Sequence, residues 1–198
     1  MLAMAGYTQV FLDTTNTALS LTAYDLAEWL SLLPSERNAS IPLLTPLFVR
    51  IHLEIFIICL MTMRISFPNQ LRPIVVGLAF LLVIAQLPPI EFIANRQDIN
   101  YQQQFFLALI SIGLITLFLF TDYAKYLIHF ALAFGILVLM IAIPHAQSLM
   151  NTYRLKTSIG LGAILLVLAY IGMFLWFWQQ KRGSSSLPLS KTFTTANF

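Results

Sequence analysis

Cysteine is nearly absent from this sequence, and so is charge. Cys59 is the only cysteine, so an intrachain disulfide and a CxxC redox centre are both excluded. Its place inside an apolar run makes it a small buried hydrophobe rather than a reactive thiol. Only 10% of the residues are charged, against about a quarter in a soluble domain. The net charge of +3 is scattered and forms no basic stripe, which argues against a nucleic-acid surface. Glycine-rich phosphate loops, GxGxxG, HExxH and GxSxG are all missing, so the common nucleotide, zinc-hydrolase and serine-hydrolase signatures give no reaction to assign. The first 35 residues lack a basic region ahead of an apolar core, and Asp13 sits early. They do not read as a cleavable signal peptide.

What the sequence does have is long apolar runs. Hydrophobic residues make up 59% of the 198. They fall into five segments separated by short polar joints, which predicts an all-α, multi-pass transmembrane helical bundle. The predicted spans are 42–63, 73–94, 103–121, 126–146 and 157–178. In the second span Gln86, Pro88 and Pro89 favour a helix that ends near Gln86, with residues 90–94 in the interface. Pro144 is expected to bend or end the fourth span just before His145.

Ahead of the spans, LTAYDLAEWLSLL at 21–33 reads as an amphipathic helix. Thr22 and Asp25 have the spacing of a capping box. Its acidic face has no attraction to anionic lipid, so it either lies in the interface or docks on the protein's own helices. Pro34 to Ile41 is read as linker, and Asn38-Ala39-Ser40 is a possible glycosylation acceptor. The organisation is therefore an extramembrane segment over 1–40, a transmembrane domain over 41–180 and a flexible polar tail over 181–198.

Small residues recur on two spans. Ala131, Gly135, Ala142 and Ala146 form one stripe, and Gly162, Ala169 and Gly172 another. Both predict close helix packing. Trp176 and Trp178 before Lys181 and Arg182 read as an aromatic belt followed by headgroup contacts. Counting basic residues in the joints sets Arg64, Arg72, Lys125, Lys181, Arg182 and Lys191 against Arg37, Arg96, Arg154 and Lys156. The excess predicts a cytoplasmic C-terminus.

The functional candidates are the polar residues inside apolar runs. Arg50, His52 and Glu54 share the first span. Arg50 and Glu54 are four apart and able to pair, and Arg50 is otherwise able to snorkel to headgroups. Gln86 and Glu91 sit in the second span. Intramembrane ionisable groups mark ion or proton pathways, subunit contacts or structural pairs. His52, His129 and His145 are the candidate haem or chlorin ligands. Their expected depths differ, so a bis-histidine haem within this chain alone is disfavoured.

Three functions follow. The leading one is an accessory or structural subunit of an integral membrane complex, supporting assembly or lipid and cofactor packing. The alternatives are a haem- or chlorin-binding electron-transfer or photosynthetic subunit, and a small transporter or channel component using Arg50 and Glu54. The partners implied are the lipid bilayer and other membrane subunits or further copies of the chain.

Overall fold

The computed structural model describes residues 2–15, 19–88 and 97–184. Glu91, the expected interfacial segment 90–94 and the tail beyond residue 184 lie outside them.

Among the described residues, four helices are long and apolar enough to cross a membrane: α4 (Leu44–Ser66), α6 (Ile99–Phe120), α7 (Ala124–Thr152) and α8, spanning over Leu161–Gln179. The fold is an all-α bundle of a multi-pass membrane type. Five full spans are not confirmed: residues 89–94 of the second expected span lie outside the described residues, and the helix in its described part is α5 (Arg72–Gln86). Its 15 residues cover about 22 Å, short of a hydrocarbon core of about 30 Å. Proline at its second position suits a helix start. Its end at Gln86 is where Pro88 withholds the next backbone donor.

The central helix is α4. Two-thirds (67%) of its most apolar window is buried, against 33–39% for the other spans. It packs against α2, α5, α6 and α7, while α8 packs against α7 and α1. Ala131, Gly135, Ala142 and Ala146 are all buried, so the α7 stripe is a packing seam. A Cβ on Gly135 would lie 2.7 Å from both Ile55 Cδ1 and Tyr170 Cε2, which is why α4, α7 and α8 meet there. The α8 stripe holds only in part. Gly162 abuts the Gly6 carbonyl, and Ala169 is buried, but Gly172 has open space around it.

One end of the bundle carries a small cap. It begins with α1 (Leu2–Thr8), and α2 (Ala23–Ser31) and α3 (Pro34–Arg37) follow. The capping box at Thr22 and Asp25 is formed. Ala23, Leu26, Ala27 and Leu30 are fully buried, so α2 is docked on the protein's own helices. The stretch from Pro34, expected as linker, begins with the one-turn helix α3, for which proline is a favourable first residue. A three-stranded antiparallel sheet has no counterpart in the sequence reading. In it β1 (Leu12–Thr14) lies between β2 (Ser20–Leu21) and β3 (Thr157–Ile159). Leu12 pairs with Leu21 and Ile159, tying the N-terminal cap to the joint before α8.

Two further boundaries differ from expectation. Asp98 caps α6 by accepting from the Asn100 amide, so that helix starts within the expected joint and includes Gln102 to Gln104. Helix α7 continues through Pro144 to Thr152. At 29 residues it is about 44 Å long and outruns the hydrocarbon core, so its last turns reach the cap.

Candidate functional site

Successive residues of a helix turn by about 100°. Thr45 and His52 therefore lie on one side of α4, and Arg50 and Glu54 on the opposite side. The two sides meet different neighbours.

On the side that carries Arg50, the guanidinium is buried beneath α2. Its Nη2 donates to Glu28 Oε1 at 2.7 Å and its Nη1 to Gln103 Oε1 at 3.0 Å. Gln104 Nε2 also donates to Glu28 Oε1, at 2.7 Å. Gln103 in turn donates to the carbonyl of Leu43, which enters α4 in the left-handed conformation at φ 56°. The expected Arg50–Glu54 pair is thus replaced by an ionic layer joining α2, α4 and α6. Nearby, Arg37 bridges to Asp98 at the head of α6. This layer closes the cap end of the bundle and satisfies a guanidinium that would otherwise be costly to bury.

One turn deeper, Glu54 is buried midway along α4. Ser111 of α6 lies with its Oγ 2.8 Å from both Glu54 oxygens, and it accepts from Gln86 Nε2 at 3.0 Å. Gln86 is the last residue of α5. A carboxyl, a hydroxyl and an amide from three helices are therefore linked where a short helix stops inside the bundle. Gln86 Oε1 is buried without a hydrogen-bond partner. An unsatisfied acceptor in a dry interior costs about 1–3 kcal/mol, so the group has unused capacity for a proton donor.

The three histidines are dispersed. His52 is fully buried, and its Nδ1 is 2.8 Å from the hydroxyl of Tyr170 on α8. Its Nε2 has no partner. His129 sits edge-on to Phe174 and Trp178 of α8, near the far end of the bundle. His145 approaches the head of α4, with Nδ1 2.6 Å from Thr45 Oγ1. Each has its own neighbours, His129 Nε2 being buried without a hydrogen-bond partner, and none of the three hydrogen-bonds or stacks on another. Cys59 is buried, as its sequence setting implies. Among the described residues no group of three or more His, Cys, Asp or Glu is placed to hold a metal. Outside the spans, burial raises the phenol of Tyr7 well above its ordinary range, against a smaller opposing effect of Arg50.

Of the residues singled out in the sequence, the structure joins Glu54 to Gln86 through Ser111. It separates Arg50 from Glu54 and the histidines from one another. Glu28, Gln103, Thr45 and Glu36 are site residues that sequence reasoning misses. Glu36 is buried and accepts from both the amide and the hydroxyl of Thr45. Comparison with family models, with curated proteins and with solved structures finds no match for the chain. The functional reading therefore rests on the geometry of the chain itself.

Proposed function

We propose that this integral membrane protein is a small proton-handling component, a transporter or channel element in which Glu54 takes up and releases a proton. The observation behind the reading is the buried Glu54–Ser111–Gln86 chain at the end of α5. Burying a carboxyl at mid-helix is costly for a purely structural element, and such groups in membrane bundles are the usual proton and ion carriers. A helix that stops inside the bundle supports the same reading, because interrupted helices bring free backbone carbonyls to intramembrane sites.

The linkage has two self-consistent forms. With Glu54 ionised, the Gln86 amide donates to Ser111, and the Ser111 hydroxyl donates to the carboxylate. With Glu54 protonated, its O–H would donate to Ser111, and a half-turn of the Gln86 amide, which now presents Nε2 to Ser111, would bring the orphaned Oε1 round to accept the Ser111 hydroxyl proton. One proton together with that amide turn thus reverses the direction of the chain. A bound metal cation fits less well. Ser111 Oγ already lies equidistant from both carboxylate oxygens, the position that a bidentate cation occupies.

Reconstitution into liposomes tests this. A pH-sensitive dye inside the vesicles should report a proton flux that falls about a hundredfold or more in Glu54→Gln, the low end of what a proton-transfer group contributes. Equal fluxes from wild type and Glu54→Gln would overturn it.

The second reading is an accessory or structural subunit of a membrane complex, with the C-terminus cytoplasmic. It draws support from the stacked Phe130–Phe134 pair on α7, whose rings are 6.0 Å apart and nearly parallel while Phe130 faces outward. A neighbouring helix would seat on such a pair. Gentle extraction that yields a discrete larger assembly with other polypeptides favours this reading, and an active monomer counts against it.

A further inference from the structure

We propose that His145, Thr45 and Glu36 form a second proton relay, one that carries a proton from the membrane surface to the head of α4. The inference deepens the proton-handling reading and rests on it.

The three groups come from α7, α4 and α3, and they run from an exposed group to buried ones. The His145 side chain is 54% exposed and that of Glu36 is 3% exposed, and Thr45, which bridges them, is buried. Thr45 Oγ1 lies 2.6 Å from His145 Nδ1 and 2.9 Å from Glu36 Oε1. The direct distance from Nδ1 to Glu36 Oε1 is 3.8 Å, too long for a hydrogen bond. The hydroxyl is therefore the necessary bridge.

The proton positions follow from counting donors. Glu36 Oε2 accepts from the Thr45 amide at 3.2 Å, and Oε1 accepts the Thr45 hydroxyl proton. That hydroxyl has one proton, so its oxygen must accept from His145 Nδ1–H. A neutral His145 is thereby fixed as the Nδ1–H tautomer, leaving the Nε2 lone pair as the proton acceptor on the exposed imidazole. The same logic of a carboxylate and an intermediate group holding an imidazole in one tautomer recurs in unrelated sites.

Uptake is balanced. A hydronium or buffer acid gives a proton to His145 Nε2. The Nδ1 proton passes to Thr45 Oγ1 as the original hydroxyl proton passes to Glu36 Oε1. The proton's bond in the donating acid, the Nδ1–H bond and the original Oγ1–H bond break, and new Nε2–H, Oγ1–H and Oε1–H bonds form. The result is a neutral imidazole, an intact hydroxyl and a carboxylic acid, and release runs the steps backward. Two arginines of the packed elements have partners of their own. Arg37, next to Glu36, donates to Asp98 and to the Ser31 carbonyl, and Arg50 of α4 donates to Glu28 and Gln103. The relay ends at Glu36 of α3, beside the head of α4; Glu54 lies about 14 Å further along α4, on its other side.

The experiment uses the full chain in liposomes with the interior dye. His145→Ala should slow the flux about tenfold, and added imidazole should restore at least half of it. Thr45→Val, which keeps the shape without the hydroxyl, should slow it similarly with no rescue by imidazole. Unchanged flux in His145→Ala, or rescue of Thr45→Val by imidazole, would overturn the relay. A second readout does not depend on flux. In nitrogen-15 spectra of histidine-labelled protein, neutral His145 should be the Nδ1–H tautomer, and Thr45→Val should shift it toward Nε2–H. A wild-type Nε2–H tautomer would overturn the relay even if Glu54 transports. The expected tautomer in a protein with no flux would retain the His145–Thr45–Glu36 geometry and reject the transport reading instead.

Discussion

Ser111 lies within hydrogen-bond reach of both Glu54 oxygens and accepts from Gln86, so one hydroxyl satisfies two buried neighbours. Ser111→Ala should cost about 1–3 kcal/mol by stranding both. Glu54→Gln keeps the shape and a donor, and it should cost less while abolishing flux. Denaturation in mixed micelles ranks the two, and a more stable Ser111→Ala would contradict the arrangement. Tyr7 supplies a pH test. Burial holds its phenol above the ordinary value of 10.0, so the neutral form is the one the fold accommodates. Its contribution is fully present below about pH 10 and is lost as the pH rises through the raised value. Its hydroxyl also has no hydrogen-bond partner. Tyr7→Phe should therefore be at least as stable as wild type at neutral pH and more resistant to alkali, as thermal scans at the two pH values would reveal. At this scale the sequence is only partly legible. Glu54 and Gln86 stand out as polar residues in apolar runs. The true partner of Arg50 does not, because Glu28 is 22 positions away in sequence while Glu54 is one helical turn away. Thr45 and Glu36 carry no motif, and their contact with His145 depends on α7 running past Pro144.

Helix contacts depend on where a side chain is tolerated. A Cβ at Gly6 would lie 2.6 Å from the backbone nitrogen of Leu166, which cannot move aside. At Gly135 the obstacles are the side-chain ends of Ile55 and Tyr170. Gly6→Ala should loosen α1 from α8, exposing the N-terminal cap to limited proteolysis. Gly135→Ala should cost about 1–3 kcal/mol as an overpacked seam, with the cap intact. A Cβ on Gly77 would meet nothing within 4 Å, so Gly77→Ala should stabilise α5 by up to about 1 kcal/mol through helix propensity alone. Equal proteolysis of Gly6→Ala and Gly77→Ala would contradict the α1–α8 packing. The long helices are legible because about twenty consecutive apolar residues have few other folds. The α7 seam is legible because small residues at helical spacing have few other uses. The sheet is not, since strands of two or three residues leave no periodicity. The passage of α7 through Pro144 is not either, because local sequence gives the cost of a proline but not the packing that offsets it.

The molecule as a whole is a multi-pass membrane bundle with α4 at its centre, a folded cap at one end and a shortened α5 that stops beside a buried carboxyl. The cap end also holds the Arg50 layer and the proposed His145 relay, so both polar systems lie toward the same side. Helix α8 runs from that side to the other. If the C-terminus is cytoplasmic, the cap faces the opposite compartment. Single cysteines introduced at Leu32 and Tyr126, exposed at opposite ends of the bundle, should then react with impermeant reagents from outside and inside respectively, after Cys59→Ala removes the native thiol. The account depends most on Glu54 changing its protonation within the membrane. Infrared difference spectra of the reconstituted protein, taken as the pH is lowered, measure this directly. Wild type should gain a carboxylic-acid C=O band that is absent from Glu54→Gln and displaced in Ser111→Ala. Identical difference spectra from wild type and Glu54→Gln, over the range in which both stay folded, would contradict it.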